Sequence, residues 1–237
     1  MTRLRLILLP GFDGTGRLFG PLLREIPDSV DTTVVDYPAN EPLGYRDLVE
    51  RLLPAIRGGG DFCLVAESFG GPLAVMLAAE RPEGLTAIVL AASFARWPPL
   101  AAFAAPLLPL AGRMALPRWL IRSALFGGRH DDLARTVQKS LGEIDGHVLA
   151  RRLREVRMTD IRPLLAGIGV PCLILRAARD RLVPRRRGEE LHKGIAGSRL
   201  VTLDGPHGIL QTRPHEAWAE IARFIGRTDE TDPKPLE

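Results

Sequence analysis

The chain has 237 residues, of which 46% are hydrophobic and 25% charged, and it carries a formal net charge of +4. This length suits one domain with one sizeable core, and the composition is that of a globular protein rather than a disordered one. The basic residues are scattered and no nucleic-acid-binding motif occurs, so nucleic acid is not expected to be a partner.

The first half of the chain alternates short apolar runs with amphipathic segments, a pattern typical of strands joined by helices. The runs at 62–66 and 85–92 are continuously apolar, as expected for parallel strands buried on both faces. Strands alternating with helices need crossover connections, which produce a parallel sheet. The other elements predicted in this half are strands at 4–9 and 32–36 and helices at 18–26, 45–56 and 72–80.

The alternation stops after the strand at 85–92. Residues 94–162 contain no predicted strand and read as several helices with apolar faces, interrupted by prolines and glycines. It resumes with strands at 170–175 and 199–203 and helices at 187–195 and 215–225.

The predicted fold class is therefore α/β, a doubly wound, mostly parallel sheet of about six strands with a helical insertion. Residues 1–93 and 163–227 form the predicted core, and the insertion spans 94–162. The polar segment 228–237 is predicted to be a disordered tail.

The cysteines and the apolar stretches bear on disulfide or metal sites and on the cellular location. Cys63 and Cys172 fall within predicted strands, so we interpret them as buried apolar residues rather than as part of a disulfide or metal site. No secretory signal is visible and no uninterrupted apolar stretch reaches about 18 residues. We therefore expect no integral membrane segment and a cytoplasmic location.

A candidate nucleophile lies between the predicted strand at 62–66 and the helix at 72–80. Residues 66–71 read Ala-Glu-Ser-Phe-Gly-Gly, close to the G-x-S-x-G pattern that holds a serine on a tight strand-to-helix elbow. Ala66 stands where that pattern has glycine. Ser68 would lie at a helix N-terminus, where backbone N–H groups favour a developing oxyanion. The alternative is that Ser68 is an ordinary helix N-cap.

A serine hydroxyl needs a general base, and an imidazole base needs an acid to orient it. His207 follows the last predicted strand in a glycine-flanked loop, whereas the other four histidines fall in helices or at helix starts. Asp180 follows the strand at 170–175, at the carboxyl end where parallel-sheet active sites form. Asp204 is the competing acid, although Asp204-Gly205 is typical of a turn. The chain order Ser68, Asp180, His207 is that of α/β-hydrolases.

The glycine-rich turn after the first strand has the sequence Pro-Gly-Phe-Asp-Gly-Thr-Gly over residues 10–16. It matches neither the dinucleotide-binding nor the phosphate-loop spacing. Acyl transfer requires two backbone N–H donors for the tetrahedral intermediate. We predict that the Phe12 and Phe69 N–H groups supply them.

Four motifs follow one another along the chain: the glycine-rich turn at 10–16, the serine elbow at 66–71, the loop of Asp180 and the loop of His207. Together they resemble the α/β-hydrolase superfamily over nearly the whole chain, and most of all small carboxylesterases related to pimeloyl-[acyl-carrier protein] methyl ester esterases. The chain departs from that family in three ways. Pro10-Gly11 replaces His-Gly in the oxyanion turn, Ala66 replaces glycine at the elbow, and the chain begins at what would be the family's third strand.

The resemblance implies that the insertion at 94–162 is a helical lid over the active site. It also makes an acyl-carrier protein a possible partner, for which an arginine cluster at 151, 152, 154 and 157 would be the docking surface. The alternative for that cluster is a solvated helix face. The residues predicted to line an apolar acyl pocket are Phe94, Trp97, Phe103, Met114, Trp119 and Phe126. The alternative for each of them is packing in the core of the lid.

The sequence thus predicts a serine hydrolase that cleaves small-molecule carboxylic esters with an apolar acyl or alcohol part through an acyl-enzyme intermediate. This chemistry needs no metal and no organic cofactor. The alternatives are a thioesterase, lactonase, amidase or acyltransferase of the same fold, or a non-catalytic binding module. The physiological ester, the preferred acyl length and the oligomeric state are not predicted.

Overall fold

The computed structural model describes residues 5–57, 59–97 and 116–230 of the chain. Within these residues one sheet has six strands, all parallel, in the order β2-β1-β3-β4-β5-β6. This confirms the predicted doubly wound sheet. The strands are β1 (Arg5–Leu9), β2 (Asp31–Val34), β3 (Phe62–Glu67), β4 (Leu85–Ala91), β5 (Cys172–Ala177) and β6 (Arg199–Leu203).

Helices connect the strands and pack on both faces of the sheet. A short 3-10 helix, Arg17–Phe19, precedes the first α-helix. The α-helices of the sheet domain are α1 (Gly20–Leu23), α2 (Tyr45–Ile56), α3 (Gly70–Ala79), α7 (Arg162–Leu165), α8 (Arg185–Gly194), α9 (Ile209–Thr212) and α10 (Pro214–Glu230). Between β4 and α7 lie α4 (Arg118–Phe126), α5 (Asp131–Gly142) and α6 (Gly146–Met158).

The central strands supply apolar side chains to both faces of the sheet, because successive side chains of a strand point to opposite sides. All six residues of β3 are buried. Its Leu64 and Ala66 pack in the core beneath α2, α3, α7 and α8, whereas Cys63 and Val65 pack on the side of α1 and α10. This double burial is why the run at 62–66 shows no polar alternation.

The two ends of the segment between β4 and α7 lie next to each other at the edge of the sheet domain. Ala95 accepts a backbone hydrogen bond from Ile161 at 2.9 Å, and Arg96 forms an isolated antiparallel bridge with Asp160. Helices α4 and α5 pack on each other around a small cluster that includes Ile121, Phe126 and Val137. No helix in the described ranges is both long and apolar enough to cross a membrane.

Candidate active site

The candidate site lies where the winding of the sheet reverses. From β1 the chain passes to β2 on one side, and β3 then pairs with β1 on its other side. In open parallel sheets this reversal leaves a crevice beyond the carboxyl ends of the two central strands. Here the turn at 10–16 follows β1 and Ser68 follows β3 directly.

Ser68 occupies a left-handed backbone conformation with φ of 49°. A non-glycine residue in this region is strained, and such strain persists only where the surrounding structure fixes the backbone. The Ser68 N–H donates to the Ala91 carbonyl at 2.9 Å, and the Ser68 carbonyl accepts from Gly71 N–H and from the Ser93 hydroxyl, each at 3.0 Å. These bonds hold the serine at the tip of the elbow.

The glycines after Ser68 allow α3 to approach the rest of the elbow closely. A Cβ built on Gly70 would lie 2.6 Å from the Leu9 carbonyl oxygen, and one on Gly71 only 1.7 Å from Ser93 Oγ. Contacts this short do not occur for real side chains. Ala66, the departure from the usual elbow pattern, is fully buried in β3 and is accommodated there.

The side chains of Ser68, His207 and Asp180 form one hydrogen-bonded series. Ser68 Oγ and His207 Nε2 are 3.0 Å apart, and His207 Nδ1 and Asp180 Oδ2 are 2.8 Å apart. The other oxygen of Asp180 accepts the N–H groups of Leu182 at 2.8 Å and Val183 at 2.7 Å. The acid is thereby held in one orientation, and it can fix the tautomer and plane of the imidazole.

His207 is buried, and the charges around it determine its protonation. Burial lowers the pKa of His207, but the charge and hydrogen bond of Asp180, together with the charge of Glu67, outweigh that effect and raise the pKa above 6.5. The competing acid Asp204 is exposed and pairs with Arg179, so it does not orient the base. The four remaining histidines, His130, His147, His192 and His215, are exposed.

The turn after β1 lies beside the serine. A Cβ built on Gly11 would be 4.0 Å from Ser68 Cβ. Among the residues that the structure describes, neither the Phe12 N–H nor the Phe69 N–H has a hydrogen-bond acceptor in the protein. The Phe69 backbone is fixed by the Tyr45 hydroxyl, which donates to its carbonyl at 2.9 Å, and by stacking of the two rings at 4.6 Å.

Arg152 lies close to this turn, a position that the sequence did not predict. It was assigned to a surface cluster, but it is only 2% exposed and its guanidinium contacts the backbone of the turn. Burial lowers the pKa of Arg152, and Tyr37 and Asp13 oppose that effect. The signal was present in the spacing, since Val148, Arg152 and Val156 recur every four residues and share the buried face of α6.

A second missed residue is Glu67, the neighbour of Ser68. Its carboxylate is buried at the end of β3 and accepts a hydrogen bond from Gln211 Nε2 at 2.9 Å. Burial raises the pKa of Glu67 to about 7, while the charge of His207 and the bond from Gln211 oppose the rise. The charges of Glu67 and His207 therefore influence each other's pKa: the histidine opposes the rise at Glu67, and the carboxylate contributes to the rise at His207.

The residues predicted to line an acyl pocket have different surroundings. Phe94 is buried in the core on the α3 side of the sheet. Trp97 packs edge-on against it, with the two ring centres 5.1 Å apart. Phe126 is buried in the α4–α5 cluster, where its ring lies against Gly208, the residue after His207. Trp119 is 64% exposed. Phe103 and Met114 lie outside the described residues.

Helix α4 contacts the loops that carry both the candidate base and its acid. The Gly208 N–H donates to the Leu125 carbonyl at 2.9 Å, and Arg181 donates to the Ser123 hydroxyl at 2.8 Å. Chemically, the arrangement offers a nucleophile, a base, an orienting acid and two free N–H donors. Within the described ranges no three His, Cys, Asp or Glu side chains are grouped as a metal ion would require.

Comparison with known proteins agrees with the fold. A curated relative, the pimeloyl-[acyl-carrier protein] methyl ester esterase of Neisseria meningitidis, is 25% identical, with 84% of each chain covered. An enol-lactonase from Burkholderia xenovorans superposes with a TM-score of 0.81 at 19% identity, covering 95% of this chain and 92% of that one. An esterase from Exiguobacterium antarcticum gives a TM-score of 0.82 at 17% identity with the same coverage. The sequence profile of the alpha/beta hydrolase family matches residues 6–221, and the chain belongs to that family.

Proposed function

We propose that this protein is a carboxylesterase-type serine hydrolase that cleaves esters through an acyl-enzyme intermediate. The observation that carries the proposal is the hydrogen-bonded series from Ser68 Oγ through His207 to Asp180, with separations of 3.0 and 2.8 Å. A serine is a poor nucleophile unless an adjacent base removes its proton, and this geometry supplies such a base.

In the first half of the reaction Ser68 Oγ attacks the ester carbonyl and His207 Nε2 takes the hydroxyl proton. The Phe12 and Phe69 N–H groups stabilise the oxyanion that forms on the carbonyl oxygen. His207 then gives its proton to the leaving alcohol, and the acyl group stays on Ser68. In the second half a water molecule loses a proton to His207 and attacks the acyl-enzyme. The bond from the acyl carbon to Ser68 Oγ then breaks, His207 returns the proton to Oγ, and the acid is released.

The sheet domain and the inserted segment have different roles in this proposal. Residues 1–93 and 163–227 form the hydrolase core, and 94–162 form a lid that contributes to the acyl pocket. The contact of Phe126 with Gly208 supports this role, because it places an apolar lid side chain next to the catalytic histidine loop. Phe94 and Trp97, which pack on the core, are more suited to anchoring the start of the lid.

The substrate proposed is an ester with an apolar acyl or alcohol part, and an acyl-carrier protein is a candidate carrier of it. The curated relative is named for a methyl ester on such a carrier. Arg154 and Arg157 on α6 are exposed and basic, as binding an acidic carrier would require. Arg152 is withdrawn from that surface, because its side chain is buried.

Replacement of the nucleophile tests the mechanism. We expect Ser68→Ala to lower kcat for p-nitrophenyl butyrate by more than about a thousandfold, because the protein loses the atom that accepts the acyl group. The variant should also fail to react with a fluorophosphonate probe. Ser29→Ala, which changes an exposed serine in the turn before β2, is the matched control and should keep full activity.

The outcomes separate the competing functions. Ester hydrolysis by Ser68→Ala at the wild-type rate would overturn the serine mechanism, and a wild-type protein that the probe does not label would favour a non-catalytic binding module. Comparing p-nitrophenyl esters of increasing acyl length with thioesters, lactones and a carrier-linked methyl ester then identifies the substrate class. Transfer to an added alcohol in place of water would identify an acyltransferase.

A further inference from the structure

Every backbone carbonyl of the turn between Pro10 and Gly14 is engaged by a donor. Pro10 accepts from the Tyr37 hydroxyl at 3.2 Å, Gly11 from the Gly14 N–H at 3.0 Å, and Gly14 from the Tyr37 N–H at 2.8 Å. The two carbonyls that remain belong to residues 12 and 13. Both are taken by one side chain that comes from a different part of the chain.

That side chain is Arg152, on α6 of the inserted segment. Its Nη1 donates to the carbonyl of Phe12 at 3.0 Å and to that of Asp13 at 2.9 Å. Its Nη2 donates to the carbonyl of Pro38 at 3.0 Å, in the segment after β2, and the guanidinium lies 5.7 Å from the centre of the Tyr37 ring. One planar group thus joins the turn after β1 to the segment after β2.

The local backbone is shaped around the guanidinium. Gly14 has a φ of 67°, which favours glycine, and a Cβ built on it would lie 2.7 Å from Arg152 Nη1. Withdrawing an arginine from water is costly unless its donors are satisfied. Across the described residues Arg152 has no carboxylate partner within ion-pair distance, so main-chain carbonyls satisfy its donors.

The consequence concerns the N–H of Phe12. The Phe12 N–H shares a peptide group with the Gly11 carbonyl, which accepts from the Gly14 N–H, and Arg152 holds the next two peptide groups through the Phe12 and Asp13 carbonyls. Because these bonds restrict rotation of the peptide groups, they fix the orientation of the Phe12 N–H, which has no acceptor among the described residues, in the turn beside Ser68. An oxyanion donor is effective only when its orientation is fixed before the reaction.

We propose that Arg152 is a positioning residue that fixes the oxyanion-binding turn from the inserted helix. This inference rests on the proposed function and deepens it. A positioning role takes the place of the docking role that was predicted for Arg152 as a member of the arginine cluster.

The test is the variant Arg152→Met, which keeps the aliphatic stem and removes the donors. On p-nitrophenyl butyrate we expect kcat to fall about ten- to a hundredfold, a loss smaller than or equal to that of a whole oxyanion donor. KM should change by less than about threefold, because ground-state binding does not use the donor. The kcat of Arg152→Lys should lie between those of the wild type and Arg152→Met, since an ammonium keeps the charge but cannot span both segments.

Affinity for a trifluoromethyl ketone gives a readout that a merely structural residue would not move. The serine adduct of this inhibitor carries the oxyanion, so its affinity should fall in parallel with kcat/KM across the variants. Arg135→Met, which changes an exposed arginine on α5, is the matched control and should leave both values unchanged. Circular dichroism and thermal melting establish that each variant is folded.

If Arg152→Met fails to fold, Arg152→Lys and Tyr37→Phe carry the test, because Tyr37→Phe removes the donor to Pro10 at the other end of the turn. Folded variants that keep wild-type kcat and inhibitor affinity would overturn the positioning role. The proposed function fails separately, through activity retained by Ser68→Ala.

Discussion

Ser68 combines two properties that are rarely found in one residue, a strained backbone and a side chain in hydrogen-bond contact with a buried histidine. The strain lifts the hydroxyl out of the end of β3, and the bonds to Ala91 and Ser93 maintain it. At this scale the chemistry depends less on Ser68 itself than on the few groups that fix its surroundings.

Glu67 is one of these groups, and its charge affects the pH at which the base works. His207 can accept a proton only when it is neutral, so activity should fall as the pH drops through its raised pKa. The negative charge of Glu67 contributes to that rise. Glu67→Gln keeps an oxygen acceptor for Gln211 and removes the charge. We expect the acid limb of the kcat/KM profile to move to lower pH.

The profile of Glu80→Gln, a change of an exposed glutamate at the end of α3, should match that of the wild type. The wild-type limb reports the coupled pair of Glu67 and His207 rather than either group alone. A profile of Glu67→Gln that is unmoved or displaced to higher pH would contradict this electrostatic role.

The three residues of the hydrogen-bonded series could be predicted because each follows a recognisable strand, and carboxyl ends of parallel strands meet at one edge. Arg152 and Glu67 could not be predicted with the same reasoning. Their partners lie far away in the chain: Gln211 is 144 residues from Glu67, and Phe12 is 140 residues from Arg152. A hydrogen bond over such a separation leaves no local pattern.

Among the elements, α3 shows how closely the elbow is packed. Its first residue, Gly70, approaches the carbonyl oxygens of Leu9 and Pro10, which are backbone atoms that cannot move aside easily. We expect Gly70→Ala to lower the free energy of unfolding by about 1–3 kcal/mol, the usual cost of overpacking. It should also reduce kcat, since α3 would be displaced from the turn at 10–16, which we propose binds the oxyanion.

Gly142→Ala is the matched control, because nothing lies within 4 Å of a Cβ at the end of α5. It should be neutral or stabilise by up to about 1 kcal/mol, owing to the better helix propensity of alanine. Urea unfolding and steady-state kinetics measure both effects. Equal stability of the two variants would mean that the close approach of α3 is not required.

The predicted element boundaries agree with the structure for some elements and are shifted for others. The helix predicted at 45–56 has those bounds, whereas the strand predicted at 170–175 is observed at Cys172–Ala177. Pro171 has no N–H to donate, so the ladder begins after it. The strand extends to include Arg176, a charged residue whose side chain pairs with Glu189 at the surface. The helix predicted at 18–26 is split into a 3-10 turn and one short α-helix.

In the molecule as a whole, apolar burial is unevenly distributed. Among the residues that the structure describes, two large clusters share the sheet, while α4 and α5 enclose a small cluster of their own around Phe126. Regions with fewer buried contacts open at lower free energy. We therefore expect the amides of α4 and α5 to exchange with deuterium at least about tenfold faster than those of β3 and β4.

Hydrogen exchange followed by mass spectrometry measures this difference, and α10 provides a comparison, since that helix packs on the large cluster through Ala217 and Ile221. Exchange from α4 and α5 as slow as from β3 would show that the insertion and the sheet open as one cooperative unit.

The meeting of Ala95 with Ile161 has a consequence for how such proteins diversify. A segment whose two ends are adjacent can be exchanged for another during evolution, or in a laboratory chimera, without moving any strand of the scaffold. Arg152 restricts that freedom, because it reaches from the exchanged segment into the turn beside Ser68. A replacement segment would have to bring a guanidinium of its own to the same carbonyls. The segment that changes the specificity would then also have to maintain the turnover.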